Sequence, residues 1–164
     1  MKTLYIVRHA KSSWDDPDLS DEERPLLEKG VKKTHKVIEY LNGHHIRPDL
    51  ILSSPAVRAF ETAKLIAKGV RYPGEKITIM PEIYHFDSAH ILRELQGLSD
   101  DIQSVMIVGH NPGVTQLAGH LLGKELEWLP TSAIAGIDIH TDQWDRIRDS
   151  NVSTRFMIHP SMLP

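Results

Sequence analysis

The sequence of 164 residues predicts a three-layer α/β/α fold, a sheet covered by helices on both faces. Three observations carry that prediction. Four short apolar runs are continuous rather than alternating, as strands buried on both sides require. Each run is followed by residues with a 3.6-residue apolar period. Beyond Pro130 the pattern changes to two further strand-like stretches with no helix between them.

The first run is Leu4-Tyr5-Ile6-Val7, and Leu27, Val31, Thr34, Ile38 and Leu41 then line one face of a helix. Asn42-Gly43 supplies its stop, because glycine readily takes the conformation that ends a helix. The second run, Leu50-Ile51-Leu52, leads into a helix carrying Ala59, Phe60, Ala63, Ile66 and Ala67. Ile77 to Met80 is the third, followed by a short helix marked by Ile91, Leu92 and Leu95. Val105 to Val108 is the fourth, followed by Val114, Leu117, Ala118, Leu121 and Leu122. Ser54-Pro55 and Asn111-Pro112 each set an N-cap residue before a proline expected at the first helical position. Ala133 to Ile139 and Thr154 to Ile158 are the late strands, joined through Gln143-Trp144. With no repeat or linker, residues 1–164 are expected to form a single domain.

Composition narrows the function. Hydrophobic residues make up 40% and charged residues 25%, near the globular average, and the net charge of −3 carries no basic stripe for nucleic acid. The absence of cysteine excludes disulfides, zinc–thiolate sites and thiol nucleophiles. No window reaches 18 uninterrupted apolar residues and the amino terminus runs straight into a strand, so a cytoplasmic protein without a membrane span is expected. The ten histidines form no zinc-type ligand pair with a nearby carboxylate, and the glycines form neither a dinucleotide nor a Walker motif. No metal or cofactor is expected.

Open α/β sheets bind ligands beyond the carboxyl ends of their strands. Those ends carry Arg8-His9, then Ser53-Ser54-Pro55 with Arg58, then Pro81-Glu82, and then Gly109-His110-Asn111-Pro112-Gly113. In a parallel sheet they share one edge, which would gather two arginines, two histidines and a carboxylate. Guanidinium forks match phosphate oxygens, helix starts add free N–H groups, and a neutral imidazole can attack phosphorus. Flanking arginines would hold that imidazole unprotonated. His110 could bind an equatorial oxygen and Glu82 could protonate the leaving group. Taken singly, each has an ordinary reading: a polar strand end, a surface helix arginine, a turn shaped by its backbone, a carboxylate facing water. Their joint occurrence, one per strand end, argues for a site.

At these residues the chain resembles the histidine phosphatase superfamily, and most of all its SixA-type phosphohistidine phosphatases. Arg8-His9-Ala10 is similar to the family's arginine–histidine–glycine signature, with alanine in place of glycine. Arg24-Pro25-Leu26 with Gly30, Ser53-Ser54-Pro55 with Arg58-Ala59 and Thr62-Ala63, and Gly109-His110-Asn111-Pro112 match further family elements. Thr131 to Ala135 resembles a late segment whose turn lies near the phosphate. The resemblance implies a compact phosphoglycerate mutase-like fold without a helical cap insertion. It also implies His9 as nucleophile, with Arg8, Arg58 and His110 around the phosphate. Ser12, Asn111 and Ser132 are the implied substrate-binding neighbours. Glu82 aligns with the mutase branch's proton donor, and Asp16 and Asp18 in the loop after His9 are rival donors. Asp15 stands where that branch has asparagine, which weakens a mutase reading.

About twenty residues separate Glu82 from the fourth strand, too few for a lid, and an open pocket suits a phosphate displayed on another protein. The expected substrate is therefore a phosphorylated protein, such as a histidine-containing phosphotransfer domain. The rivals are a small-molecule phosphomonoesterase with the same core and a phosphate-binding module without turnover. Trp14 is expected to flank the pocket entrance, and Trp128 and Trp144 to pack beneath the late strands. Glu22-Glu23-Arg24 and Lys32-Lys33 read as solvated charge runs.

Overall fold

Side chains alternate across a strand, so a continuous apolar run feeds two cores at once. In the computed structural model, which describes residues 1–84 and 87–164, strand β1 (Lys2–Arg8) does this. Leu4 and Ile6 enter one core, Tyr5 and Val7 the other, and the three aliphatic side chains of Leu4, Ile6 and Val7 have no solvent exposure. Each fully buried side chain of that size stabilises the fold by about 1.5–3 kcal/mol.

Strands β2 (Leu50–Ser53), β3 (Thr78–Ile79), β4 (Ser104–Gly109), β5 (Ile134–Ile139) and β6 (Val152–Ile158) complete a sheet of order β3-β2-β4-β1-β5-β6. The pairs β1–β4, β4–β2 and β2–β3 are parallel, whereas β5 and β6 are antiparallel additions on the other edge. Helices α1 (Glu28–Gly43) and α2 (Val57–Gly69) cover the face of Tyr5, Val7, Ile51, Met106 and Val108. Helices α3 (Ser88–Gln96) and α4 (Gly113–Leu122) cover the face of Leu4, Ile6, Leu52, Val105 and Ile107, where Trp144 is fully buried. The predicted three layers are present, and α1 stops at Gly43 as read from the sequence. Among the described residues, no helix is long and apolar enough to cross a membrane.

Three local expectations are corrected. The third strand shrinks to two exposed residues, because it is an edge strand paired on one side only. Neither proline occupies the first helical position: α2 starts at Val57 after Ala56, and α4 at Gly113 after Pro112. The side chains of Ser54 and Asn111 consequently make contacts other than helix caps, and those contacts build the site.

One close approach fixes the start of α1. A Cβ on Gly30 would lie 2.6 Å from the Lys11 carbonyl oxygen, so only glycine lets the helix press against the loop after β1. The Leu27 N–H donates to that same carbonyl at 2.9 Å.

Candidate active site

Because β2, β4 and β1 are adjacent and parallel, their carboxyl ends lie side by side. A cleft of about 390 Å³ opens over them, and Arg8, His9, Ser12, Arg58, His110 and Asn111 line it. Residues from three distant segments of the chain thus meet in one place. Backbone bonds fix the base: the His9 N–H donates to the Gly109 carbonyl and the Arg8 N–H to that of Ala133, both at 3.0 Å.

His9 is 8% exposed, and its Nδ1 lies 2.7 Å from the Ala10 carbonyl oxygen. A carbonyl only accepts, so Nδ1 carries the proton and Nε2 keeps its lone pair. Burial pulls the imidazole pKa down to about 4. The Ala10 bond opposes that shift, while Arg58, Arg8 and Arg24 add to it. The His110 ring lies 5.2 Å from that of His9, centroid to centroid, and its Nε2 is 2.7 Å from Ser54 Oγ. Burial, then His9 and Arg58, lower its pKa to about 3. Both rings are neutral at pH 7.

The arginines are held but not saturated. Arg8 donates through Nη1 to the Leu129 carbonyl at 2.9 Å. Arg58, 4% exposed, donates through Nη1 to the Asp21 carbonyl at 2.6 Å and through Nη2 to Asp21 Oδ2 at 2.9 Å. The Nε–H groups of Arg8 and Arg58 are buried and make no hydrogen bond among the described residues. Buried donors are seldom left open, and an anion with several acceptor oxygens is the partner they match.

Asp21, which sequence reasoning did not single out, lines the same cleft. Its carboxylate accepts from Arg58, from Arg24 Nη1 at 3.1 Å and from the Tyr84 hydroxyl at 2.9 Å. Partial burial works against the charge, but the bonds from Tyr84, Arg58 and Arg24 override it and hold the carboxyl down at about 2. Tyr84 also sets its ring edge against His110, 5.6 Å between centroids. The only advance signal for Asp21 was its place three residues before Arg24-Pro25-Leu26.

The remaining predicted residues divide. Ser12 lines the cleft, but its hydroxyl accepts from Arg24 Nη2 at 2.6 Å. Asn111 lines it too, while its side chain donates to Leu129 O and accepts from Thr115. Ser132 is buried and is not a lining residue. Its backbone, at φ +62°, donates to the Arg8 and His9 carbonyls at 3.1 Å, and its hydroxyl bonds Thr34. Glu82 sits in a 3-10 turn (Pro81–Ile83) and is not a lining residue. Tyr84, two residues on, is what reaches the site from that segment. Asp16 and Asp18 stay in the exposed loop, where Asp16 accepts from the Asp18 N–H.

Arg24 is not part of a solvated run. It is buried, donates to Ser13 O as well, and stacks 3.2 Å over the ring of Trp14. Trp14 flanks the cleft at 74% exposure, as expected. Trp128, expected beneath the sheet, is 64% exposed on the same rim. It also borders a larger groove of about 750 Å³ against α4, but Arg8, Arg58 and both imidazoles lie in the smaller cleft. Among the described residues, no three His, Asp or Glu side chains gather as a metal-holding set.

Residues 4–87 match the family model of the histidine phosphatase superfamily (branch 1). An uncharacterised chloroplastic protein of Arabidopsis thaliana is 32% identical over 152 residues, covering 88% of this chain and 69% of its own length. The phosphohistidine phosphatase SixA of Escherichia coli is 27% identical over 139 residues, covering 83% of this chain and 84% of its own. The fold is similar to that of protein histidine phosphatase SixA complexed with tungstate, with a TM-score of 0.84, 24% identity and 98% of each chain covered. On the strength of these likenesses, the chain belongs to the histidine phosphatase superfamily.

Proposed function

We propose that the protein is a phosphatase that takes a phosphoryl group from a phosphorylated protein side chain, phosphohistidine first, onto His9 and then delivers it to water. The observation that carries this reading is one cleft lined both by a neutral imidazole with its Nε2 lone pair available and by two arginines whose buried Nε–H groups make no hydrogen bond among the described residues. In the first step Nε2 bonds to phosphorus as the bond to the leaving atom breaks. Arg8, Arg58 and His110 take up the charge of the equatorial oxygens. In the second, water attacks, the N–P bond breaks and the electron pair returns to Nε2.

The acid question favours phosphohistidine. The carboxylate in the cleft, Asp21, has its pKa near 2 and holds no proton to give at pH 7. An ester oxygen needs such a proton, whereas an imidazole already protonated on its far nitrogen departs neutral without one. The approach to the cleft supports a protein substrate. Between Tyr84 and β4, the helix among the described residues is α3, whose Ile91, Leu92 and Leu95 are buried in the core. It forms part of a layer rather than a cap over the site. The likeness to a phosphohistidine phosphatase points the same way.

Alkaline-quenched single turnovers with a phosphohistidine protein and with a panel of small phosphate esters test the proposal. Wild type should pass its label through an alkali-stable phosphoenzyme, and His9→Ala should lose both turnover and the trapped species. Phosphohistidine proteins left untouched beside rapid ester hydrolysis would overturn the substrate assignment. Surviving turnover in His9→Ala would overturn the mechanism.

A further inference from the structure

At the mouth of the cleft the molecule carries a second cationic feature that its own packing does not explain. Lys11, two residues after His9, lines the cleft, and Lys29 and Lys33 are exposed on α1, whose first turn packs on the Lys11 backbone. The close approach of Gly30 and Leu27 to the Lys11 backbone sets this proximity. Lys29 lowers the Lys11 pKa, and Lys33 adds to the effect. All three are exposed, and none has a carboxylate partner among the described residues. The neighbouring Lys32, by contrast, pairs with Glu28.

Helix stability argues against this arrangement. Lys29 stands in the first turn of α1, where the helix dipole disfavours a cation, and Lys29 and Lys33 are a like-charged pair four residues apart. The chain as a whole is acidic, with a net charge of −3, so general basicity does not account for the cluster either. Unpaired like charges gathered at the mouth of a site create a local field, and that field attracts an acidic partner.

We propose that Lys11, Lys29 and Lys33 form a docking patch for an acidic segment of the substrate protein, next to its phosphorylated residue. The proposal rests on the phosphatase reading above and names the kind of protein that site accepts. The spacing suits carboxylates spread along a chain rather than one compact anion. Lys29 and Lys33 are separated by about 6 Å along the helix axis. Acidic residues two apart on an extended segment, or four apart on a helix, match that interval. Exposed charges at a rim chiefly raise the association rate, so the patch should act on capture and not on the chemical step.

Two phosphohistidine peptides, identical except for glutamates or glutamines flanking the phosphorylated residue, test the patch. Binding is measured to His9→Ala, which cannot turn them over, and to the same protein carrying Lys29→Glu and Lys33→Glu. His9→Ala should bind the glutamate peptide about tenfold tighter at low salt, with the advantage fading as salt screens the rim. The charge reversals should abolish that preference while leaving inorganic phosphate binding unchanged. Equal binding of both peptides to His9→Ala, or a preference that survives reversal, overturns the patch. So does phosphate binding that falls as far as peptide binding, because the lysines would then belong to the cup. Salt dependence in His9→Ala alone keeps the test decisive should the reversed protein misfold. Turnover of the glutamine peptide by wild type is read separately: its failure defeats the phosphatase proposal and leaves the binding comparison standing.

Discussion

Lowering the pH from 7 to 5.5 separates a buried, guanidinium-flanked imidazole from an ordinary one. An unperturbed histidine with a pKa of about 6.5 would be only about 9% neutral at pH 5.5. His9, with its pKa drawn down to about 4, should remain about 97% neutral, a tenfold difference in available nucleophile. The same depression makes the fold pH-dependent. The folded protein binds the His9 proton less readily than the unfolded chain does. Its contribution is therefore fully present above pH 6.5 and is lost as the pH falls through about 4. The magnitude is on the order of 3 kcal/mol, since each pKa unit is worth about 1.36 kcal/mol and the ring is nearly buried. Asp21 acts in a lower window, stabilising above its ordinary 3.8 and ceasing to do so as the pH falls through about 2. The assay is a ring-carbon NMR titration, with the His9 resonance assigned by its loss in His9→Ala, run beside urea unfolding at pH 7, 5.5 and 4.5. A His9 midpoint near 6.5, with stability flat across that range, would refute the argument from burial and charge.

Arg58→Ala should lower kcat/KM at least a hundredfold, the scale of losing a clamp worth about 3 kcal/mol, with Arg58→Lys in between; near-normal turnover would show the cup is drawn wrongly. Asp21→Asn removes a negative charge that shares Arg58 with the incoming anion, so calorimetry should find inorganic phosphate binding several-fold tighter, and weaker binding would contradict this. Glu82→Gln should leave phosphohistidine peptide turnover within about twofold, because the side chain lies outside the cleft; a loss near a hundredfold would restore it as proton donor. Gly30→Ala should cost about 1–3 kcal/mol in chemical denaturation and slow turnover as well, since the new methyl meets the Lys11 backbone and must displace the loop behind His9.

The layers and the core of the site were legible because each rests on a local pattern. Continuous apolar runs announced strands buried on both faces, and the strand-end rule brought Arg8, His9, Arg58 and His110 to one edge. What stayed hidden depended on partners far along the chain. Glu82 was expected in the pocket because it follows a strand, but the turn it sits in sets Ile83 against Gly109 and Tyr84 against Asp21 and His110, while Glu82 does not line the cleft. Arg24 read as part of a solvated charge run and Asp21 was not singled out, since nothing near them shows that Ser12, Arg58 and Tyr84 will be their partners. Ser54 looked like a helix cap by its neighbour Pro55, yet its hydroxyl meets His110, 56 positions later. Trp128 looked like core by its size, whereas the loop it occupies is anchored by Arg8, Asn111 and Thr115 to Leu129, leaving the indole outside.

The backbone of Ser132 bears on how this molecule comes together. Its single N–H is shared between the carbonyls of residues 8 and 9, and the amide of Arg8 reaches in turn to Ala133. The opening residues of the chain are therefore seated by residues more than a hundred positions downstream, across a pairing that forms only once the antiparallel edge has joined the sheet. Contacts of such long sequence separation form late and at high entropic cost. Residues 1–131 carry Arg8, His9, Arg58 and His110 but not the backbone amide that seats residues 8 and 9, so the site is complete only when the antiparallel edge is in place.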